Sequence, residues 1–165
     1  MSSRLETTGN SWVKRPTIEE SSSSLRNPKG FDPNVYDATD ATIPDPISRV
    51  DLNPNHDWRF RSKTSVNPMH SGRLLGRIMI GKVPPRITIE GVDDILRQVP
   101  LPIKNSTLVQ NCVTWVLAAV EVMQKQDLAE AFDVDQFSIK ALELADQWLK
   151  DPNPRHFHNY TNRPR

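Results

Sequence analysis

The chain has one cysteine among its 165 residues, which excludes an internal disulfide and the class of small cystine-stapled domains. Aromatic residues make up 7% and hydrophobic residues 36%, against fourteen prolines and a mean hydropathy of −0.56. That composition excludes a core running the whole length, so part of the chain is expected to stand outside it. Long apolar runs are missing too. The best, residues 113–122, is broken by Glu121 and is about half of the roughly 20 residues needed to cross a bilayer. The opening "MSSRLETTGNSW" lacks the apolar stretch of a signal peptide. The expectation is a cytoplasmic protein with no membrane contact.

Charge of one sign is missing as well, since the net value is +1. It is unevenly spread, however. Residues 51–90 carry seven basic and three acidic side chains, and residues 91–150 carry five basic and nine acidic. A basic strip (Arg59, Arg61, Lys63, Arg73, Arg77) beside acidic helices points to internal charge pairing. A nucleic-acid surface needs an excess on one face, so no nucleic-acid partner is expected. "GRIMIGK" lacks the spacing of a phosphate-gripping loop and ends a strand without opening a helix.

What is present divides the chain in three. Residues 1–50 hold the run Ser21-Ser22-Ser23-Ser24, five prolines and scattered apolar residues, and read as a disordered segment. Residues 51–150 read as an α+β domain, a small antiparallel sheet packed against two or three helices. "DWRF" alternates Trp58 and Phe60 with Arg59 and Arg61, and "RLLGRIMIGKV" alternates Ile78 and Ile80 with Arg77 and Met79; both predict strands. Short helical spacing follows over residues 92–98. A long apolar helix covers residues 111–126, with Cys112, Val116, Ala119 and Met123 on one face. The last helix opens on Asp133-x-x-Gln136, a variant capping box, and carries the stripe Phe137, Ala141, Leu144, Trp148 until Asp151-Pro152 stops it. Residues 151–165 read as a loose basic tail.

Cys112 opens the long helix directly after Asn111, and two readings compete for it. A helix N-terminus stabilises a thiolate through its dipole and unsatisfied N–H groups, which with a nearby general base makes a nucleophile. Against that, cysteine is among the most buried residue types, and Cys112 lies on the same stripe as Val116 and Met123. The upstream histidines His56 and His70 are the candidate bases, although each sits in a loop pattern, "NPNHDW" and "NPMHSG". His156 and His158, spaced two apart, lack the further donors a metal site requires. No metal or cofactor is expected.

The order Ile80-Gly81-Lys82-Val83, Ile95-Leu96-Arg97-Gln98-Val99-Pro100 and Asn111-Cys112-Val113-Thr114-Trp115-Val116 resembles a family of small uncharacterised fungal proteins over residues 51–150. Asn-Cys at a helix start is also similar to the circularly permuted papain-like thiol hydrolases and acyltransferases, in which a strand-borne histidine precedes the cysteine. That resemblance implies a cysteine-dependent amide or ester hydrolase or acyltransferase using Cys112 with His56 or His70. The fungal family usually begins with a Tyr-His-Trp strand, and nothing in residues 1–50 reads as one. The departure favours a non-catalytic accessory or interaction protein on a degenerate papain-like scaffold, associated with fungal secondary metabolism. A sheet of two or three strands is thin for independent stability. A protein partner or a homo-oligomer completing the sheet is therefore expected.

Overall fold

The computed structural model describes residues 32–67 and 70–163. In chain order these form β1 (Asp32–Thr39), β2 (Arg59–Val66), β3 (Arg77–Met79), α1 (Ile89–Arg97), α2 (Cys112–Lys125), α3 (Val134–Leu149) and β4 (Phe157–Asn159). The class is α+β, as the sequence indicates. β1 and β2 are antiparallel, with Asn34 opposite Thr64 and Thr39 opposite Arg59. β3 and β4 make a separate parallel pair in which Arg77 stands opposite Phe157.

Each helix starts where a side chain can satisfy its open N–H groups. Thr88 Oγ1 accepts from Gly91 N at 3.1 Å, so α1 begins three residues earlier than the expected residue 92. Asp133 Oδ1 accepts from Gln136 N at 2.8 Å and opens α3 at the expected place. α2 buries Trp115, Ala119, Val120 and Met123, and Val120 has no exposed surface. A helix buried on this scale is the centre of the fold.

Side chains alternate along a strand. Tyr36, Ala38 and Phe60 therefore share the sheet face that packs on the helices, and Val35, Asp37 and Arg61 share the other. Phe60 stacks on Tyr36 with ring centroids 6.1 Å apart and meets Trp115 at 5.9 Å. The Arg97 guanidinium sits 4.8 Å over the Phe60 ring, held by Asp93 at 2.6 Å. Tyr36 Oη donates to Ile89 O at 3.3 Å, which ties β1 to the start of α1.

Two boundaries read from the sequence are corrected. The domain does not begin at residue 51, because β1 lies within residues 32–39 and its Val35, Asp37 and Ala38 are buried. Residues 1–31 lie outside the described residues. Nor is the end of the chain a loose tail: β4 is hydrogen-bonded to β3, and Tyr160 N donates to Met79 O at 2.9 Å. The expected strands shift as well. "DWRF" contributes its last residues to a longer β2, and only Arg77–Met79 of the aliphatic run stays in a ladder. Beyond β3 the chain passes so close to another segment that a Cβ on Gly81 would stand 2.4 Å from Leu128 O. Glu130 N closes this contact by donating to Ile80 O at 2.8 Å.

Candidate functional site

Cys112 is the first residue of α2 and is half-buried. The residue before it organises the helix end. Asn111 Oδ1 accepts from Val113 N at 2.8 Å and Thr114 N at 3.2 Å, and Asn111 O accepts from Trp115 N at 3.1 Å. Thr114 Oγ1 accepts from Asn111 N at 2.9 Å, closing a capping box. Two open N–H groups of the first turn that would otherwise stabilise a thiolate, those of Val113 and Thr114, are thus directed at the Asn111 side chain, while the Trp115 N–H makes the ordinary first helical bond. The positive end of the helix dipole also acts on the sulfur.

The two candidate bases stand at opposite ends of β2. His56 precedes the strand and His70 follows it, and eight strand residues extend about 26 Å. Only one of them can lie near Cys112. The Phe60–Trp115 contact puts the His56 end beside the first turns of α2. There the imidazole is exposed, on a residue with φ of 53°, and its Nδ1 is 3.1 Å from Asp40 O. His70 Nε2 is 3.2 Å from Asn67 Nδ2. The structure places neither ring on a strand. β1 and β2 contain no histidine, so the sheet face against α2 offers Tyr36, Ala38 and Phe60.

Three features near this end have no obvious mark in the sequence. Asp37 and Arg61 form a bidentate pair on the far sheet face, both contacts 2.8 Å. Asp37 is visible as a partner for Arg61 only once the β1–β2 register is known. Asn53 is buried and bridges three segments: its Nδ2 donates to Asp40 O, Ala41 O and Asp57 O, and its Oδ1 accepts from Asp57 N at 2.9 Å. The Trp115 indole N–H is buried with no hydrogen-bond partner. Of the expected basic strip, Arg61 is paired with Asp37 and Arg59 donates to Ala41 O at 2.8 Å, in line with internal use of those charges.

Two loops expose apolar side chains, the second leading directly into the Cys112 turn. One carries Ile47, Val50 and Leu52; the other carries Ile103, Leu108 and Val109. Lys104 joins the second loop to the Asn53–Asp57 region, reaching Asn55 O and Asp57 Oδ1. Clustered exposure of this kind is a feature of interaction surfaces. Among the described residues no group of three or more His, Cys, Asp or Glu side chains converges on a possible metal position. No helix among them is long and apolar enough to cross a membrane.

Fold and site together define a small α+β domain with a capped central helix opening on a cysteine and a two-stranded sheet laid across it. Residues 27–148 match a family of unknown function, DUF6914, and the chain belongs to that family. No curated protein and no solved structure matches it.

Proposed function

We propose that this chain is a non-catalytic accessory or interaction protein on a degenerate papain-like scaffold. The observation that carries the reading is the sheet face packed on α2, which presents Tyr36, Ala38 and Phe60 where a thiol hydrolase requires an imidazole. The exposed apolar loops around residues 47–52 and 103–109 support the binding half of the reading. A cytoplasmic place in fungal secondary metabolism, with a protein or a second copy as partner and without nucleic acid or membrane, belongs to the same proposal.

One observation favours a second reading. Cys112 occupies the first position of α2 and keeps part of its surface open, the placement of a helix-activated thiol. In that reading Cys112 attacks an amide or ester carbonyl and His56 or His70 takes the thiol proton. The imidazole returns it to the departing amine or alcohol as the C–N or C–O bond breaks, and water then hydrolyses the thioester. Alkylation of Cys112 by iodoacetamide across pH separates the two. The binding protein labels slowly at and below pH 7 and speeds up on unfolding. Rapid labelling of the folded chain below pH 7, lost in one of the variants His56→Ala and His70→Ala, would establish the thiol enzyme instead.

A further inference from the structure

After α3 the chain turns back as a strap, residues 151–163, that docks along β3 and begins with a closed turn. His156 N donates to Asn153 O at 3.0 Å, and Arg155 N donates to Asn153 Oδ1 at 3.0 Å. That turn carries the His156 imidazole back to the end of the helix. Its Nε2 lies 2.8 Å from Asp151 O. A carbonyl oxygen only accepts, so this nitrogen carries a hydrogen. The ring lies flat on Trp148, centroids 5.6 Å apart and planes 3° from parallel. Backbone bonds hold the strap on either side of it, with Arg77 N donating to His156 O at 2.8 Å and Tyr160 N to Met79 O at 2.9 Å.

We propose that His156 is a proton-operated latch, which fastens the strap more firmly to the end of α3 when its ring is charged. With a hydrogen already on Nε2, the incoming proton goes to Nδ1, and the Asp151 O contact is kept in both states. Three features of the docked position favour the cation over a ring in water. Trp148 presents the negative face of its π-system to it. The carbonyl end of α3 carries the negative end of the helix dipole, and the last turn of that helix holds no basic residue. The hydrogen bond to Asp151 O strengthens when its donor is charged. Charges on the surrounding elements divide. Asp146 on α3 and Asp151 on the turn act in the same direction. Lys150 at the α3 cap, Arg155 and His158 on the strap, Arg77 on β3 and Arg73 ahead of it oppose it when charged. Asp146, Lys150, Asp151, Arg155 and Arg73 are exposed, so water screens them, whereas the indole face and the carbonyl touch the imidazole directly. The strap therefore docks more firmly as pH falls through the range in which histidine gains its proton, and loosens as pH rises. Neither reading of Cys112 enters this inference, so it stands or falls apart from both.

Amide exchange of the full chain between about pH 8 and about pH 5 tests it. The Arg77 and Tyr160 N–H groups report directly, because each donates across the dock. Corrected for intrinsic rates, their protection should rise roughly fivefold on acidification, while that of Arg59–Val66 stays level. His156→Phe keeps a flat ring for Trp148 but takes no proton, so its strap protection should not vary with pH. His158→Gln should behave as the native chain does. Level protection of Arg77 and Tyr160 in the native chain overturns the proposal, and that measurement needs no variant to fold. A rise shared equally by Arg59–Val66, one that survives His156→Phe, or one abolished by His158→Gln overturns it too.

Discussion

The β1–β2 pair and the β3–β4 pair sit on one domain but are anchored by different means. β1 and β2 are joined by the loop of residues 40–58, held by the buried Asn53 and by the Asp51 carboxylate, which accepts from Ile43 N and Asn53 N at 2.8 Å each. One face of that sheet rests on α2 through Phe60 and Trp115. β3 and β4 are brought together from residues 77–79 and 157–159, and rings hold them: Trp148 on His156, Phe132 and Phe137 on Tyr160. The first pair is continuous with the core, whereas the second fastens an extension to its outside. Damage to the first should unfold the domain, and damage to the second should release the strap alone.

Trp115→Ala tests the first half of that contrast and should have the largest effect. Trp115 is 3% exposed and links α2 to β2, so its removal empties a large volume that the helix cannot collapse to fill. Losses for such truncations are about 3–5 kcal/mol, a large share of the stability of a small domain. Chemical denaturation followed by far-ultraviolet circular dichroism should show one transition at much lower denaturant. A loss below about 1 kcal/mol would mean that the sheet does not depend on α2.

Gly76→Ala tests the second half and ranks next. A Cβ at Gly76 would stand 2.5 Å from the Trp148 ring and 2.8 Å from His156 Cβ, so the strap cannot stay in place beside it. Overpacking of this kind costs about 1–3 kcal/mol, and here the strain can be relieved by undocking. Amide exchange should quicken through Phe157–Asn159 while Arg59–Val66 keeps its protection. Equal quickening in both would show that strap and core unfold as one unit.

The same contrast explains what the sequence discloses. α3 is legible because Asp133 and the Phe137–Leu144 spacing report local physics, and both are used as expected: one caps, the others are buried. α2 is legible for the same reason. β1 is not, because its Val35, Asp37 and Ala38 are buried on both faces and the stretch shows no apolar-polar alternation. Its polar Asp37 is made tolerable by Arg61, twenty-four residues away. β4 is hidden similarly, since its three residues gain a place only through the β3 ladder and through the flanking His156 and Tyr160, which meet Trp148 and Phe137 on another element. The candidate site was half legible: Cys112 at a helix start could be read, whereas the positions of His56 and His70 at opposite ends of β2 required the strand bounds.

Acid should touch the two regions unequally, with the smallest effect of the three. The carboxyls of Asp45, Asp51, Glu90 and Asp93 lie below their ordinary values, and all belong to the surroundings of the first sheet. For Asp51 the causes are the Asn53 N–H first and the Ile43 N–H second. For Asp93 burial pushes upward, and the Ser62 hydroxyl and Arg97 together outweigh it. A carboxyl lower in the folded state than in the unfolded one binds its proton more readily once unfolded. Its stabilisation is present above the ordinary value of 3.8 for aspartate and is lost as pH falls through the lower folded value. Thermal melts should therefore change little between pH 7 and pH 5, then fall below about pH 4. Because the Arg97 side chain is largely exposed, added salt should blunt the Arg97 part of the effect and leave the backbone-held part at Asp51. Amide exchange should show loosening first in the loop held by Asp51, ahead of β4. Loss of β4 protection at a higher pH than the Asp51 loop would reverse the assignment of acid sensitivity to the first sheet.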